Sequence, residues 1–228
     1  PAGKQAWDNV LAALEKADPD DPATPLAHAA YQALRGNFAS ARETLEKFAA
    51  THPNEIAIPC AVADLEFQQG NAAKAETILI ETSKQPRFRD RVEWRMALAR
   101  LYARGGSAED RKKLANLSQS LATKLSATDQ GRLGHELARV WASLGDQARA
   151  EQLLRGVAAV LPGDRRSRLK LFEMALFKDQ HAEAHQWLKE LKALDGETGP
   201  QFVWAESAWL VHRSRGRPKE LAEARRRL

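Results

Sequence analysis

The sequence lacks several features that would point to particular classes of protein. It has one cysteine, Cys60, so no disulfide can form within the chain, and the redox compartment stays undecided. No run of 18 or more apolar residues occurs, so no transmembrane helix is expected. Runs of Val, Ile and Thr of the kind that form strands are also missing, which argues against a β-sheet protein.

Motifs that would carry out chemistry are missing as well. Gly105-Gly106 is not followed by Gly-Lys-Ser/Thr, so it is not a phosphate-binding loop. Cys60 has no histidine near it in sequence to act as a base. His181 and His185 lie one helical turn apart, but no third ligand lies nearby in sequence, so we interpret them as surface histidines. The sequence therefore predicts a chain that is not an enzyme, with no catalytic residue, no metal and no cofactor.

The composition that remains favours helices. Alanine, leucine, arginine and glutamate are abundant, and these side chains lose little rotamer freedom in a helix. The formal net charge is +5, but it is unevenly placed. Residues 1–25 hold two lysines and five acidic residues, whereas residues 201–228 hold seven basic residues and three glutamates. We interpret this basic end as a solvated helix face, with nucleic-acid binding as the alternative.

Glycine recurs at a regular spacing and in one local context. Gly36, Gly70 and Gly145 are each followed five positions later by alanine, and the first two are 34 residues apart. A period in the thirties indicates stacked repeats. Each repeat is predicted to hold a helix A, a turn at the glycine, a helix B and a break at proline, because glycine accepts the left-handed turn and proline cannot continue a helix.

This register divides the chain into a half-unit at 1–21 and units at 22–55, 56–90, 91–130, 131–164, 165–198 and 199–228. Unit five has Asp179 where the others have glycine. Unit three is irregular, since Gly105 and Gly145 are 40 residues apart; we expect its helix B to reach about Lys124, with a linker at 126–129. Unit six should turn at Gly216 and is truncated, and both ends of the chain suggest a piece of a longer protein.

The pattern resembles the tetratricopeptide repeat (TPR) family. Small residues recur at repeat position 20, and leucine recurs at position 24: Ala41, Ala75, Ala150 and Ala184, then Leu45, Leu79, Leu154 and Leu188. The resemblance covers nearly the whole chain and is weakest in units three and six. It implies an all-α, right-handed superhelix of about five to six helix pairs in a single solenoid. Five tryptophans should then lie mainly in the core, with Trp204 or Trp209 as the expected exception: Trp94, Trp141, Trp187, Trp204 and Trp209.

In this family, helix A lines a concave groove through positions 2, 5, 9, 12 and 13. Unit two would present Ala57, Cys60, Asp64, Phe67 and Gln68. In the later units the groove would be basic with aromatic neighbours, and its ligand-binding residues would be Arg95, Tyr102, Arg132, His135, Arg139, Arg166 and Phe177. Arginine suits carboxylate ligands. The alternative is that these arginines pair within the chain, with Glu93, Glu136 and Glu173. The chaperone-binding subtype is excluded, because Leu26 and Ala30 stand where its Lys and Asn would be.

These observations predict a non-catalytic scaffold, bacterial in its Ala- and Arg-rich composition, that binds a peptide or protein segment in the groove. An acidic segment would fit best. Two alternatives stay open, namely nucleic-acid binding through the basic C-terminal region, or the repeat region of a larger assembly factor, export factor or enzyme. The partner, the oligomeric state and the compartment, cytoplasmic or periplasmic, are not decided by the sequence.

Overall fold

A computed structural model describes residues 2–18, 20–119 and 125–214. These ranges contain twelve helices and no strand, which confirms the all-α prediction. None of the helices in these ranges is long and apolar enough to cross a membrane. The helices are α1 (Ala2–Ala17), α2 (Ala23–Leu34), α3 (Phe38–Thr51), α4 (Ala57–Gln68), α5 (Ala72–Lys84), α6 (Glu93–Gly105), α7 (Ala108–Gln119), α8 (Ala127–Ser143), α9 (Gln147–Val160), α10 (Arg165–Phe177), α11 (His181–Asp195) and α12 (Pro200–Ser214).

The chain divides into two compact units, Pro1–Ser120 and Leu121–Leu228. The repeat pattern in the sequence predicts a single solenoid over the same residues. The division falls inside the repeat that the sequence marks as irregular. The first unit contains α1 to α7, and the second contains α8 to α12. Within each unit the dominant packing is between consecutive helices, notably α2 with α3, α4 with α5, α8 with α9 and α10 with α11. These are the helix A and helix B pairs that the period predicts.

The turns inside four helix pairs share one backbone geometry. Gly36, Gly70 and Gly145 adopt φ of 80°, 84° and 83°, and Asp179 adopts φ of 55° in the equivalent place. A left-handed residue lets the chain leave helix A at once and satisfies its last carbonyl groups. The Gly145 amide, for example, donates to the Ala142 carbonyl at 3.0 Å. The predicted turn positions are therefore confirmed in these four repeats.

The third repeat turns one residue later than the register set at Gly105. Its left-handed residue is Gly106, with φ of 69°, which ends α6. In the three repeats that turn at Gly36, Gly70 and Gly145, the turn residue stands seven positions after a buried alanine and nine before a buried leucine. Here Ala99 stands seven before Gly106, whereas Leu114 stands only eight after it, and both are fully buried. The turn is thus one residue shorter, and the register along α6 is corrected by one position.

Helix α7 begins with a capping box. Ser107 Oγ accepts from the Asp110 amide at 3.0 Å, and Asp110 Oδ2 accepts from the Ser107 amide at 3.2 Å. These two bonds satisfy donors that the first helical turn leaves without an intrahelical partner. Asp110 breaks the small-residue rule at position 20 because its carboxylate serves this cap.

The boundary between repeats three and four differs from the prediction. Helix α7 is described as far as Gln119, and residues 120–124, where its extension was expected, lie outside the described residues. The expected linker at 126–129 is wrong, because α8 begins at Ala127 with Ser126 as its N-cap. The Ser126 hydroxyl accepts from the Asp129 amide at 3.1 Å, which starts the helix earlier than the repeat register suggests. The turn at Gly216 and the following helix lie outside the described residues.

The repeated small and large positions form the core of both units. The four alanines at position 20 and the four leucines at position 24 are all buried. A fully buried alanine between two helices leaves no space for a larger side chain, so it fixes how closely they approach. Trp141 and Trp209 are buried, and Trp94 and Trp187 are half-buried. Trp204 is exposed and is the exception.

Candidate functional site

A cavity of about 490 Å³ opens on the helix A face of the first unit, between α4 and α6. These two helices are the A helices of consecutive repeats, and they pack side by side. Leu79 of α5 forms part of the cavity floor. Its lining includes Cys60, Asp64 and Phe67 from α4 and Glu93, Met96, Arg100 and Arg104 from α6.

The cavity combines an apolar interior with a charged rim. Phe67 and Met96 are half-buried, whereas Asp64, Arg100 and Arg104 are exposed. Arg104 forms an ion pair with Asp64, and its guanidinium carbon lies 4.2 Å from the centroid of the Phe67 ring. These contacts fix one wall of the cavity while leaving the arginine accessible. An apolar side chain of a ligand could enter here, with a carboxylate beside the rim.

Cys60 lies inside this cavity, and its environment opposes nucleophilic chemistry. Burial raises the pKa of the thiol from 9.0 to about 12, while the Arg100 charge acts weakly in the opposite direction. The thiol is therefore protonated at neutral pH, and a protonated thiol is neither a good nucleophile nor a metal ligand. The contribution of Cys60 to the cavity is that of a small apolar side chain.

Of the predicted groove residues of unit two, Ala57, Cys60, Asp64 and Phe67 line the cavity. Gln68 instead donates a hydrogen bond to Asp64 at 2.7 Å.

In unit three the register counted from Gly106 moves Arg95 and Tyr102 away from the groove positions. The Arg95 guanidinium lies 4.2 Å from the Trp94 ring centroid and donates to the Arg91 carbonyl at 3.0 Å. Tyr102 is buried, and its hydroxyl donates to Glu76 at 2.9 Å; burial, followed by this bond, raises its pKa.

Counting from Gly106 instead brings four other α6 residues onto the cavity face. Glu93, Met96, Arg100 and Arg104 then occupy positions 2, 5, 9 and 13, and all four line the cavity. The sequence does not assign these four residues to the groove by itself, because two adjacent glycines allow two registers. The spacing from Ala99 to Gly106 was the signal that could have decided between them.

In the second unit, the predicted basic residues of α8 mostly pair within the chain. Arg139 donates two hydrogen bonds to the Glu136 carboxylate, at 2.7 and 3.1 Å, and this contact raises the pKa of the guanidinium. Arg132 pairs with Asp129 at 3.1 Å. The alternative of intramolecular pairing is therefore realised for Arg139 and Glu136.

His135 is also engaged. Its Nε2 lies 2.9 Å from Asp164 Oδ2, and Asp164 is the N-cap of α10, accepting from the Ser167 amide at 2.9 Å. Burial acts to raise the pKa of Asp164, but the hydrogen bonds from Ser167 and the contact with His135 outweigh it, and the pKa lies below its ordinary value. This constellation joins α8 to the start of α10 and has a clear structural role.

Arg166 and Phe177, on α10, are the two predicted residues of this unit that stay open to solvent. Phe177 is 92% exposed, and Arg166 is exposed with no hydrogen bond or ion pair to any other residue in the described ranges. The other two glutamates expected to pair with the groove arginines have other partners: Glu173 pairs with Lys170 at 2.6 Å and Glu93 with Arg91 at 3.2 Å.

The basic C-terminal region enters the described residues only at Arg213. Its guanidinium carbon lies 5.8 Å from the Trp209 ring centroid, which is a packing contact within α12. The other six basic residues of 201–228 lie outside the described residues.

No family model matches the chain, and no curated protein sequence matches it. The chain is similar to the crystal structure of TTC0263, a thermophilic TPR protein of Thermus thermophilus. The identity is 21%, the match covers 82% of this chain and 97% of that chain, and the TM-score is 0.41. The helix pairs, the 34-residue spacing and the left-handed turn residues themselves establish a TPR-like helical-repeat fold.

Proposed function

We propose that this protein is a non-catalytic scaffold that binds a segment of another protein, with an apolar partner side chain inserted between α4 and α6. The observation that carries the proposal is the cavity of about 490 Å³ on the helix A face. A helical repeat of this kind suggests protein partners in general. The cavity adds a specific anchoring point to that general expectation.

The dimensions and chemistry of the cavity support this role. Ligand-binding pockets typically enclose about 300 to 1,000 Å³ and combine apolar walls with a few polar groups. Phe67 and Met96 supply the apolar walls, and Met96 can adjust its shape to different side chains because it is unbranched. Such contacts suit recognition of an extended or helical segment.

The rim favours an acidic residue next to the anchor. Arg100 and Arg104 are both exposed at the cavity mouth, and an arginine fork can bind a carboxylate through two hydrogen bonds. Arg104 already holds Asp64, so an acidic ligand would compete with that contact, and Arg100 adds a second cation at the same mouth. A scaffold role also accords with the raised pKa of the Cys60 thiol, which removes the nucleophile closest to the ligand.

The proposal can be tested without knowing the natural partner. Binding peptides are selected from a random phage-displayed library against the whole chain, and the affinities of purified peptides are measured by fluorescence anisotropy. Phe67→Ala removes an apolar wall of the cavity and should weaken the selected peptides by roughly tenfold or more. Phe177→Ala is the matched control, because it deletes an equally large but solvent-exposed ring on α10.

Each outcome of this comparison has a clear meaning. Loss of affinity in Phe67→Ala alone supports the cavity as the anchoring site. Loss of affinity in Phe177→Ala alone would place the binding surface on the second unit and contradict the proposed role of the cavity. If both variants bind the peptides as tightly as the parent chain, neither ring is the anchor. Far-ultraviolet circular dichroism checks that both variants keep the helical content of the parent chain.

A further inference from the structure

Two histidines and a carboxylate converge in the second unit, two of them from the turn into α11 and the third from α12. They are Asp179 in the turn between α10 and α11, His181 at the start of α11, and His212 in the last turn of α12. One ligand atom from each lies within 4.8 Å of the other two. His212 Nε2 is 2.9 Å from Asp179 Oδ1, and the His181 and His212 rings are 5.4 Å apart between centroids.

Asp179 carries a side chain in a backbone conformation that disfavours one. Asp179 is the one non-glycine residue with positive φ in the described part of the chain, and the equivalent residues of three other repeats are Gly36, Gly70 and Gly145. An L-residue is disfavoured in this conformation, although aspartate tolerates it better than most. Glycine would serve the turn without that cost. The aspartate instead places a carboxylate beside a histidine that lies 33 residues later in the chain.

The sequence alone suggested a different pair. His181 and His185 have the spacing of two ligands on one helix face, but the structure separates them in role. The His185 ring stacks on Trp209, with centroids 5.9 Å apart and an angle of 20° between the planes. His181 meets the edge of the same tryptophan at 5.8 Å and faces His212 as well. The ligand that the sequence did not reveal is His212, which belongs to the next repeat.

We infer that Asp179, His181 and His212 form a binding site for a divalent first-row transition metal of the zinc type. Two imidazoles and one carboxylate are a ligand set that zinc, nickel and copper ions accept. In a tetrahedral site with bonds of about 2.0 to 2.1 Å, ligand atoms stand about 3.3 Å apart. The 2.9 Å pair already has nearly this spacing, and the exposed His181 side chain can rotate to complete it.

Neighbouring cations do not prevent this binding. Lys178 is directed to Glu151 on α9, at 2.5 Å, and Arg213 packs over the Trp209 ring. Three protein ligands leave one position for water or for a group supplied by a partner. Because the ligands belong to two consecutive repeats, a bound ion would fasten α12 to the turn before α11.

The test uses the tag-free chain and metal ions alone. Isothermal titration with Zn²⁺ should show saturable binding of one ion per chain that EDTA reverses, and Ni²⁺ or Cu²⁺ should compete. The paramagnetic ions should also quench the emission of Trp209, which touches His181, and this quenching should be lost in Trp209→Phe. Zn²⁺ should raise the midpoint of thermal unfolding by linkage.

Three variants decide between the possible ligand sets. His212→Ala and Asp179→Gly should weaken Zn²⁺ binding by roughly tenfold or more, and Asp179→Gly should remain folded because it restores the glycine of the other repeats. His185→Ala is the matched control and should bind Zn²⁺ like the parent chain. The inference is overturned if the parent chain shows no saturable binding, if His212→Ala and Asp179→Gly leave the affinity unchanged, or if His185→Ala abolishes binding.

Discussion

Arg104 on α6 stacks on Phe67 on α4, with 4.2 Å between the guanidinium carbon and the ring centroid. The two residues are 37 positions apart and occupy the helix A faces of consecutive repeats. Arg104 also forms an ion pair with Asp64, one turn earlier on α4. The contact therefore connects two repeats across the mouth of the cavity, and a local helix pattern would not show it.

The first prediction concerns the stability contributed by this contact. Arg104→Ala should lower the free energy of unfolding by about 0.5 to 1.5 kcal/mol, because it removes an exposed cation–π contact and an exposed ion pair. Urea denaturation followed by circular dichroism measures the change, and high salt should reduce it. Arg111→Ala, at an exposed arginine on α7, is the control and should have a smaller effect. A loss of equal size in both variants would contradict the role of the Phe67 ring.

A buried carboxylate is the subject of the second prediction. Glu66 on α4 is 1% exposed and pairs with Arg42 and, at 2.8 Å, with Lys74; it also accepts from Asn71 at 2.9 Å. Glu66→Ala should cost about 3 kcal/mol, because it removes charge-assisted bonds from a site without water access. Its effect is measured by urea denaturation.

Glu46 provides the control for this prediction, because it contacts the same Arg42 at 3.8 Å but is exposed. Glu46→Ala should change the free energy of unfolding by less than about 0.5 kcal/mol. If both substitutions lower the free energy of unfolding equally, then burial does not decide the value of an ion pair with Arg42.

The third prediction follows from the raised pKa of Cys60. With a thiol pKa of about 12 in place of 9.0, alkylation by iodoacetamide at pH 8 should be on the order of a thousandfold slower than in a free cysteine peptide. Because Cys60 is the only cysteine, mass spectrometry reports on it without interference. The chain unfolded in guanidinium should react at the rate of the peptide.

The pH dependence separates the raised pKa from simple shielding of the thiol. Above pH 9 the rate for the peptide should level off, whereas the rate for Cys60 should continue to rise. The folded thiol keeps its proton to a higher pH than the unfolded one, so the stabilising contribution is complete below the ordinary pKa of 9.0 and is lost as the pH rises towards about 12. A rate for Cys60 that levels off near pH 9 would show shielding alone.

The sequence predicts the parts of this fold that depend on local repetition. Ala41 and Ala75 recur 34 residues apart, each five residues after the glycine of a Gly-Asn pair, so their burial between helices follows from the period. The left-handed turns at Gly36 and Gly70 follow from the need for a residue without a side chain. Asp179 could be assigned to the same turn because Ala184 and Leu188 kept their distances from it.

Contacts between repeats were harder to predict, because they depend on which side chains face each other across two helices. The adjacent glycines 105 and 106 allowed two registers, and a shift of one residue rotates every side chain of α6 by about 100°. The register counted from Gly105 therefore assigns groove positions to Arg95 and Tyr102, whereas the register counted from Gly106 assigns them to Arg100 and Arg104. His212 was missed as a neighbour of His181 for a similar reason, since the two residues belong to different repeats and no helical spacing joins them.

The fourth prediction compares two glycines in the second unit. A Cβ at Gly134 on α8 would lie 2.4 Å from Val157 Cγ2 on α9, whereas a Cβ at Gly156 on α9 would meet nothing within 4 Å. Gly134→Ala should lower the free energy of unfolding by about 1 to 3 kcal/mol through overpacking. Gly156→Ala should raise it by about 0.5 to 1 kcal/mol through helix propensity. Opposite signs in urea denaturation are the expected result, and two stabilising substitutions would show that α8 and α9 are not closely packed at Gly134.

The last prediction concerns the preference for acidic ligands, and it rests on where the arginines lie. Arg100 is exposed and lines the cavity of the first unit, Arg166 is exposed on the second unit, and Arg139, also on the second unit, donates two hydrogen bonds to Glu136. Selected peptides with an acidic residue next to the apolar anchor should bind Arg100→Glu roughly tenfold more weakly than the parent chain, because charge repulsion replaces a charge-assisted hydrogen bond.

Arg139→Glu is the matched charge reversal at an arginine away from the cavity and should change the peptide affinity much less. Fluorescence anisotropy at low and high salt measures both variants, and the difference should shrink as salt screens the charges. If Arg166→Glu weakens binding while Arg100→Glu does not, the acidic residue of the ligand lies on the second unit, and the arginine at the cavity rim has no part in recognition. If no charge reversal changes the affinity, the ligand is held by its apolar anchor alone.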